Sequence, residues 1–282
     1  MKRVAVIGAG AMGHGIAQVA AMAGYDTRLT DSDPEAVAAG LDRIRKNLAG
    51  AVTRGKLTQQ SAEAAIARVV PVADLDLAAR EADLVIEAIL EDLVVKQSLF
   101  RQLDSLVRDD AILATNTSSL SVTRIAEATK LPARVVGMHF FNPVHIMKLV
   151  ELISHHAVDP AAIEAVRDVA KKMGKTPIVV RDSPGFASSR LGVLLGLEAM
   201  RMLEEGVASA ADIDAAMELG YGHPMGPLRV SDLVGLDVRL KIADHLHHEL
   251  GEQKFEPPRI LRDKVTRGEL GKKTGKGFYE WA

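Results

Sequence analysis

The 282 residues, 48% of them hydrophobic, suffice to bury a full core, and on size they favour two domains over one. Lysine and arginine total 35 against 37 aspartate and glutamate, a net charge of −2, so the balance offers no general attraction to nucleic acid or to an anionic membrane surface. Cysteine is absent, which excludes disulfides, thiolate metal sites and cysteine nucleophiles and makes the cytoplasm the expected compartment.

The chain opens on Met1-Lys2-Arg3 ahead of an apolar run, a superficial copy of a secretory signal that His14 and Gln18 interrupt. Arg3 to Ile7 instead reads as a buried strand, and Gly8-Ala9-Gly10-Ala11-Met12-Gly13 follows it and opens an apolar helix. In that spacing the glycines supply a tight turn, a close approach to a pyrophosphate and a helix-to-strand contact, while the helix N-terminus offers unpaired N–H groups to phosphate. A second strand, Thr27 to Thr30, ends at Asp31, where a carboxylate reaches ribose hydroxyls and repels a 2′-phosphate; NAD is therefore expected over NADP. Asp33, directly before Pro34, takes the helix cap and leaves Asp31 to the cofactor. The cofactor set from this pattern is Gly8, Gly10, Met12, Gly13 and Asp31.

Ala36 to Arg68 is too long for a single crossover, and its helical spacing breaks near Arg54-Gly55, which predicts an inserted helical hairpin. Apolar runs at Leu84 to Ala88, Ile112 to Ala114, Val135 to His139, Leu149 to Ile153 and Ile178 to Val180 predict a mainly parallel sheet covered on both faces. Ser118, in Asn116-Thr117-Ser118-Ser119-Leu120, lies just past one such strand and is placed either to hydrogen-bond a reacting oxygen or to cap the next helix, a job equally open to Ser119 and Ser121. His139 emerges where another strand ends, and Glu151 lies on the next strand after a turn at Asn142-Pro143. Oxidising an alcohol requires a base for the hydroxyl proton, and an imidazole held in one tautomer by a carboxylate meets that need.

Asp182-Ser183-Pro184-Gly185 punctuates the chain, and the later segments read as helices. The expected division is 1–183 as an NAD-binding domain and 184–282 as a helical substrate and dimerisation domain. Leu191 to Leu203 is apolar nearly all round, as suits a bundle centre or a subunit interface; Glu198 stops its apolar run well short of a bilayer span. His245, His247 and His248 share a helix, but no carboxylate spacing completes a zinc motif, so no metal is expected.

The glycine motif, Glu87 to Glu91, Asn116 to Leu120, His139 to Pro143, Lys148 to Glu151, His223 to Pro227 and Gly271 to Tyr279 together resemble the 3-hydroxyacyl-CoA dehydrogenases, in order and across nearly the whole chain, and in particular the single-function bacterial 3-hydroxybutyryl-CoA type. The resemblance implies an α/β Rossmann-like N-terminal domain with an inserted helical hairpin and an all-α C-terminal domain, NAD as cofactor, an acyl-CoA as partner, and a homodimer formed through the second domain. It implies His139 as acid/base, Glu151 as its orienter and Ser118 as a ligand to the substrate oxygen near the nicotinamide. Glu91, Lys96, Asn142 and Lys273 match NAD contacts, and Lys56, beside Arg54, matches a basic position that meets CoA. Solvated loop charges, and a solubilising tail of Lys272, Lys273 and Lys276, are the plainer alternatives for these cations.

One position departs from the family pattern: Ser189 stands where the family has Asn, with shorter reach and without the amide's paired donors and acceptor, which puts a polar contact to substrate in question. The rival functions are an NAD-dependent sugar-acid dehydrogenase, disfavoured by His223 to Pro227 and Asp232 to Asp237, and a noncatalytic NAD-binding protein, disfavoured by the retained His, Glu and Ser.

Overall fold

The computed structural model describes residues Met1–Trp281, and the chain divides into two compact units, the second beginning at Pro184. In β1 (Arg3–Ile7), Val4 and Val6 enter one core while Ala5 and Ile7 enter another, the two-residue alternation of a strand covered on both faces. The glycine turn leads into α1 (Gly13–Met22), then β2 (Asp26–Thr30), the hairpin helices α2 (Pro34–Thr53) and α3 (Gln59–Arg68), and β3 (Val69–Pro71). After α4 (Leu75–Ala79) come β4 (Leu84–Glu87), α5 (Leu93–Leu106), β5 (Ile112–Thr115), α6 (Val122–Ala126), β6 (Val135–Phe140), β7 (Leu149–Ser154), α7 (Pro160–Lys172) and β8 (Thr176–Arg181).

The eight strands form one sheet in the order β3-β2-β1-β4-β5-β6-β7-β8. Strands β1 to β6 pair in parallel, β7 runs antiparallel to β6, and β8 is parallel to β7. Ile16 of α1, Ile44 and Leu48 of α2, Ala65 of α3 and Val166 of α7 fill one face; Ala79 of α4, Phe100 and Leu103 of α5 and Ile125 of α6 fill the other. This is the mainly parallel, helix-covered architecture the apolar runs predict, with the hairpin broken between Thr53 and Gln59 and α3 capped by the Thr58 hydroxyl. Asp33 caps α2, its side chain accepting from the Glu35 N–H at 2.9 Å. Strand β3 goes beyond the predicted set: it has three residues, Val70 is 51% exposed, and it closes on a proline at the sheet edge, where no partner needs the missing N–H.

The second unit is built from α8 (Ser188–Glu204), α9 (Ala210–Tyr221), α10 (Pro227–Val234), α11 (Leu236–Leu250) and α12 (Arg259–Thr266) around Val193, Leu197, Met200, Leu228, Leu246 and neighbouring apolar residues. Two buried aspartates organise it. Asp214 of α9 accepts the Leu228 and Arg229 N–H groups at 2.8 and 3.0 Å, capping α10 from a neighbouring helix, and also takes the Tyr279 hydroxyl at 2.8 Å. Asp232 accepts the N–H groups of Phe278 and Tyr279 and the Trp281 indole N–H at 2.8–3.0 Å. The segment Gly271 to Tyr279, which carries part of the resemblance, thus has a folding role in joining helices and tail. No helix among the described residues is long and apolar enough to cross a membrane.

Candidate active site

Parallel pairing brings the carboxyl ends of β1, β4, β5 and β6 to one sheet edge, the edge at which open α/β sheets bind ligands. The glycine turn occupies the end of β1. Gly8 has φ +100°, a conformation side chains resist, and a Cβ there would stand 2.5 Å from the Ala88 carbonyl oxygen. A Cβ on Gly13 would lie 1.7 Å from the Gly8 carbonyl oxygen, so the helix meets the turn only because both residues lack side chains. At Gly10 a Cβ would meet nothing within 4 Å, leaving backbone open to a ligand. Met12, half-buried, takes the position before α1.

Beside this turn is a cleft of about 860 Å³ with Gly8, Gly10, Asp31, Ala88, Leu90 and Val95 in its wall, a volume within the usual range for small-molecule sites. Asp31 lines it and does not cap α2. One carboxylate oxygen accepts the Ala9 N–H at 2.7 Å and the other the Asp33 N–H at 3.1 Å, so the acid also braces the glycine turn. The mixture of open turn backbone, apolar walls and a single acid suits a dinucleotide carrying an unmodified ribose.

At the end of β4 lies a group without a role in the sequence reading: Glu87, fully buried. It accepts from the Lys96 ammonium at 2.5 Å, the Ile89 N–H at 2.7 Å and the Thr115 hydroxyl at 2.7 Å. Lys96, 1% exposed, also reaches Glu91 at 3.3 Å. Glu91 in turn accepts the Thr117 hydroxyl at 2.6 Å and the Ser118 N–H and hydroxyl at 2.8 and 3.2 Å. Burial works against ionisation of Glu91, but the Lys96 charge and these donors outweigh it and hold the carboxyl below its ordinary range. Glu91, Lys96 and Ser118 are therefore one connected assembly, with Lys96 tying two acids beneath the loop that carries the serine. The cap of α6 is Ser121, not Ser118 or Ser119. The signal for Glu87 was an acid closing an otherwise apolar strand.

His139 and Glu151 are directly opposite across the β6–β7 ladder, and His139 Nδ1 lies 2.8 Å from Glu151 Oε2, with the residues 6% and 0% exposed. The antiparallel pairing at this one place in the sheet, after the cis Asn142–Pro143 turn, sets them face to face. Phe141 packs on the imidazole at 4.5 Å between ring centres. The Asn116 side-chain oxygen accepts the Phe140 N–H at 2.8 Å, joining the Ser118 loop to the His139 strand. Asn142 is exposed at the turn.

Arg54 and Lys56 are exposed at the tip between α2 and α3. Arg54 is not an isolated loop charge: burial, then the charges of His14, Lys175 and Arg54, push His145 below its ordinary value, so basic groups converge around that imidazole. His14, His145 and Lys175 had no site role in the sequence reading, because they come from α1, the turn after β6 and the turn between α7 and β8.

In the second unit Lys273 is ion-paired to both oxygens of Asp237, at 2.5 and 2.6 Å. Ser189, half-buried, lies in the first turn of α8.

Residues 3–183 match the family described as 3-hydroxyacyl-CoA dehydrogenase, NAD binding domain, and residues 185–281 match 3-hydroxyacyl-CoA dehydrogenase, C-terminal domain. The chain is 46% identical over 281 residues to the probable 3-hydroxybutyryl-CoA dehydrogenase of Bacillus subtilis, covering 100% of this chain and 98% of that protein. It is 43% identical over 282 residues to the 3-hydroxyadipyl-CoA dehydrogenase of Escherichia coli, covering 100% of this chain and 59% of that longer protein. The crystal structure of the (S)-3-hydroxybutyryl-CoA dehydrogenase of Ralstonia eutropha superposes with a TM-score of 0.96 at 38% identity, covering 100% of this chain and 99% of that one.

Proposed function

The chain belongs to the 3-hydroxyacyl-CoA dehydrogenase family, and from that premise we propose that it reversibly oxidises an (S)-3-hydroxyacyl-CoA to the 3-oxoacyl-CoA with NAD, His139 being the acid/base. The observation that carries this reading is the buried, in-register His139–Glu151 pair at the ligand-binding edge of the sheet. The Glu151 carboxylate accepts Nδ1–H, which fixes the tautomer and assigns the basic lone pair to Nε2. In the oxidative direction the substrate O–H bond breaks and its proton passes to Nε2, giving an imidazolium that Glu151 stabilises; in the reductive direction the same nitrogen returns the proton to oxygen. NAD, when bound, supplies the acceptor for the hydride that leaves carbon as the carbonyl forms.

Gly8, Gly10, Met12, Gly13 and Asp31 hold the cofactor at the glycine turn and its cleft, and Glu91, Lys96, Asn142 and Lys273 complete its surroundings. Lys96 acts through Glu91 and Glu87, to which it is bound. Ser118 hydrogen-bonds the reacting oxygen. Arg54 and Lys56 meet the CoA phosphates, supported by the convergence of basic groups at that end of the hairpin. The second unit takes the acyl group, with Ser189 among its contacts, and pairs two copies of the chain; exposed Leu191, Leu219, Leu233 and Val238 on its helices support that pairing. The absence of cysteine supports residence in the cytoplasm. Relatives carry butyryl or adipyl in their names, so the acyl end is where members of the family part. Hydroxybutyryl is the reference substrate for the test below.

Oxidation of (S)-3-hydroxybutyryl-CoA with NAD and with NADP, in wild type and in Asp31→Asn, tests the reading. Asparagine keeps an oxygen for the Ala9 N–H while removing the charge that repels a 2′-phosphate. The wild type prefers NAD, and the variant shifts the kcat/KM ratio toward NADP by about tenfold or more, as relief of a like-charge contact requires. An unmoved ratio assigns Asp31 to bracing the turn alone.

A further inference from the structure

The turn between β6 and β7 is held from two sides. A Cβ on Gly15 of α1 would stand 2.8 Å from the Val144 Cβ, so the helix backbone packs directly on the turn. The buried Lys175 ammonium, from the turn between α7 and β8, donates to the Val144 carbonyl and, at 2.8 Å, to the Met147 carbonyl. With the backbone fixed at both places, the side chains between them are displayed outward: His145 is half-buried and Ile146 is 64% exposed.

Where this turn faces the end of α1 and the end of α7 lies a cavity of about 370 Å³, within the range of small-molecule sites. Its apolar wall includes Met22, Ile146 and Met147, all large side chains left exposed. Its basic side is His145, Lys148 and Lys172, the last with its ammonium 4.2 Å above the Tyr25 ring. No carboxylate among the described residues lines it. Asp168, one turn before Lys172 on α7, is exposed and reaches Lys171 at 4.0 Å. Cations gathered around an apolar wall without an acid suit a ligand that is an anion at one end and flat and apolar at the other.

We propose that this cavity takes the nucleotide end of the CoA thioester, its base against Met22, Ile146 and Met147 and a phosphate on His145 and Lys172. This rests on the dehydrogenase reading above and carries the basic surface begun at Arg54 and Lys56 into a walled site. The charged groups that act on His145 are His14 from α1, Arg54 from the end of α2 and Lys175 from the turn after α7, with Lys148 and Lys172 beside it on the cavity; all are basic. Burial and these charges disfavour the imidazolium in the free protein, and a phosphate reverses the balance by supplying the opposite charge. The grip therefore tightens as pH falls and His145 takes up a proton.

The test measures kcat/KM at pH 6 and pH 8, with NADH as reductant, for acetoacetyl-CoA and for acetoacetyl-pantetheine, which lacks the phosphates and the adenosine. His145→Gln and Lys172→Gln each lower the CoA-to-pantetheine ratio by about threefold to tenfold, between the effect of an exposed ion pair and that of a charged hydrogen bond. The loss in His145→Gln is larger at pH 6, where the imidazole is charged, while that in Lys172→Gln persists at pH 8. Adenosine 3′,5′-bisphosphate competes with acetoacetyl-CoA, and its inhibition constant rises in both variants. An unmoved ratio in both variants overturns the proposal, and so does an equal fall for the two thioesters, which assigns His145 to shaping the turn beside Asn142. A loss in His145→Gln no larger at pH 6 than at pH 8 overturns the role of the imidazole, and inhibition by the bisphosphate that acetoacetyl-CoA does not relieve places the nucleotide elsewhere. Absence of turnover with both thioesters removes the dehydrogenase reading and this inference with it, whereas turnover with unmoved ratios removes only the cavity.

Discussion

Replacing His139 by alanine lowers kcat by about two to four orders of magnitude, the usual contribution of a positioned general base. NADH affinity stays near the wild-type value. The separation follows from the fold: His139 lies near the end of β6, whereas the glycine turn and Asp31 belong to the ends of β1 and β2. Loss of the imidazole therefore removes the proton acceptor without touching the cofactor cleft. Stopped-flow turnover and a fluorescence titration with NADH check both halves. A variant that turns over at the wild-type rate removes His139 from the chemistry, and one that loses NADH affinity in parallel with kcat assigns it to binding instead.

Lys96→Met destabilises the first unit by roughly 3–5 kcal/mol, the cost of stripping one partner from a buried ion pair. The substitution keeps the long apolar stem and removes the charge. Glu87 then remains fully buried with only the Ile89 N–H and the Thr115 hydroxyl as partners, and Glu91 loses the cation that favours its ionised form. Thermal unfolding is expected to fall by roughly 10 °C, given a few degrees per kcal/mol for a unit of this size. Adding Glu87→Gln restores much of the loss, because the pair is then replaced by neutral groups. If the single variant unfolds with the wild type, the Glu87–Lys96 contact contributes nothing net to stability.

What was legible in the sequence depended on whether the signal was local. Val4, Ala5, Val6 and Ile7 announce a strand buried on both faces, Asp33-Pro34 announces a helix start, and the glycine spacing announces the turn, because each is written within a few residues. That Asp33 and not Asp31 caps the helix was readable for the same reason, although the brace from Asp31 to the Ala9 N–H was not. The short edge strand Val69–Pro71 offers no period to detect. His139 and Glu151 were recognisable as a candidate pair on consecutive strands, but their face-to-face register depends on β7 reversing direction against β6, which only the fold fixes.

The buried charges were the least legible. Lysine and arginine in helices read as solvent-facing residues, and nothing near Lys96 or Arg239 in sequence marks them as buried. Lys96 meets Glu87 because α5 packs its first turn against the end of β4, and Arg239 lies against α8 through two glycines far away in the chain. Asp214 and Asp232 are hidden for the same reason: both spend their carboxylates on N–H groups of distant segments. Conversely, Phe278 and Tyr279, in the Gly271 to Tyr279 segment that resembles the family, are what these carboxylates fasten, so resemblance there reflects folding.

The central claim, hydride and proton transfer to a 3-oxoacyl thioester, is tested most directly by mixing the purified protein with acetoacetyl-CoA and NADH, following NADH consumption and resolving the product on a chiral phase. The account predicts loss of one NADH for each (S)-3-hydroxybutyryl-CoA formed, together with one proton taken up. NADH that binds but is not consumed, with acetoacetyl-CoA recovered intact, would contradict it.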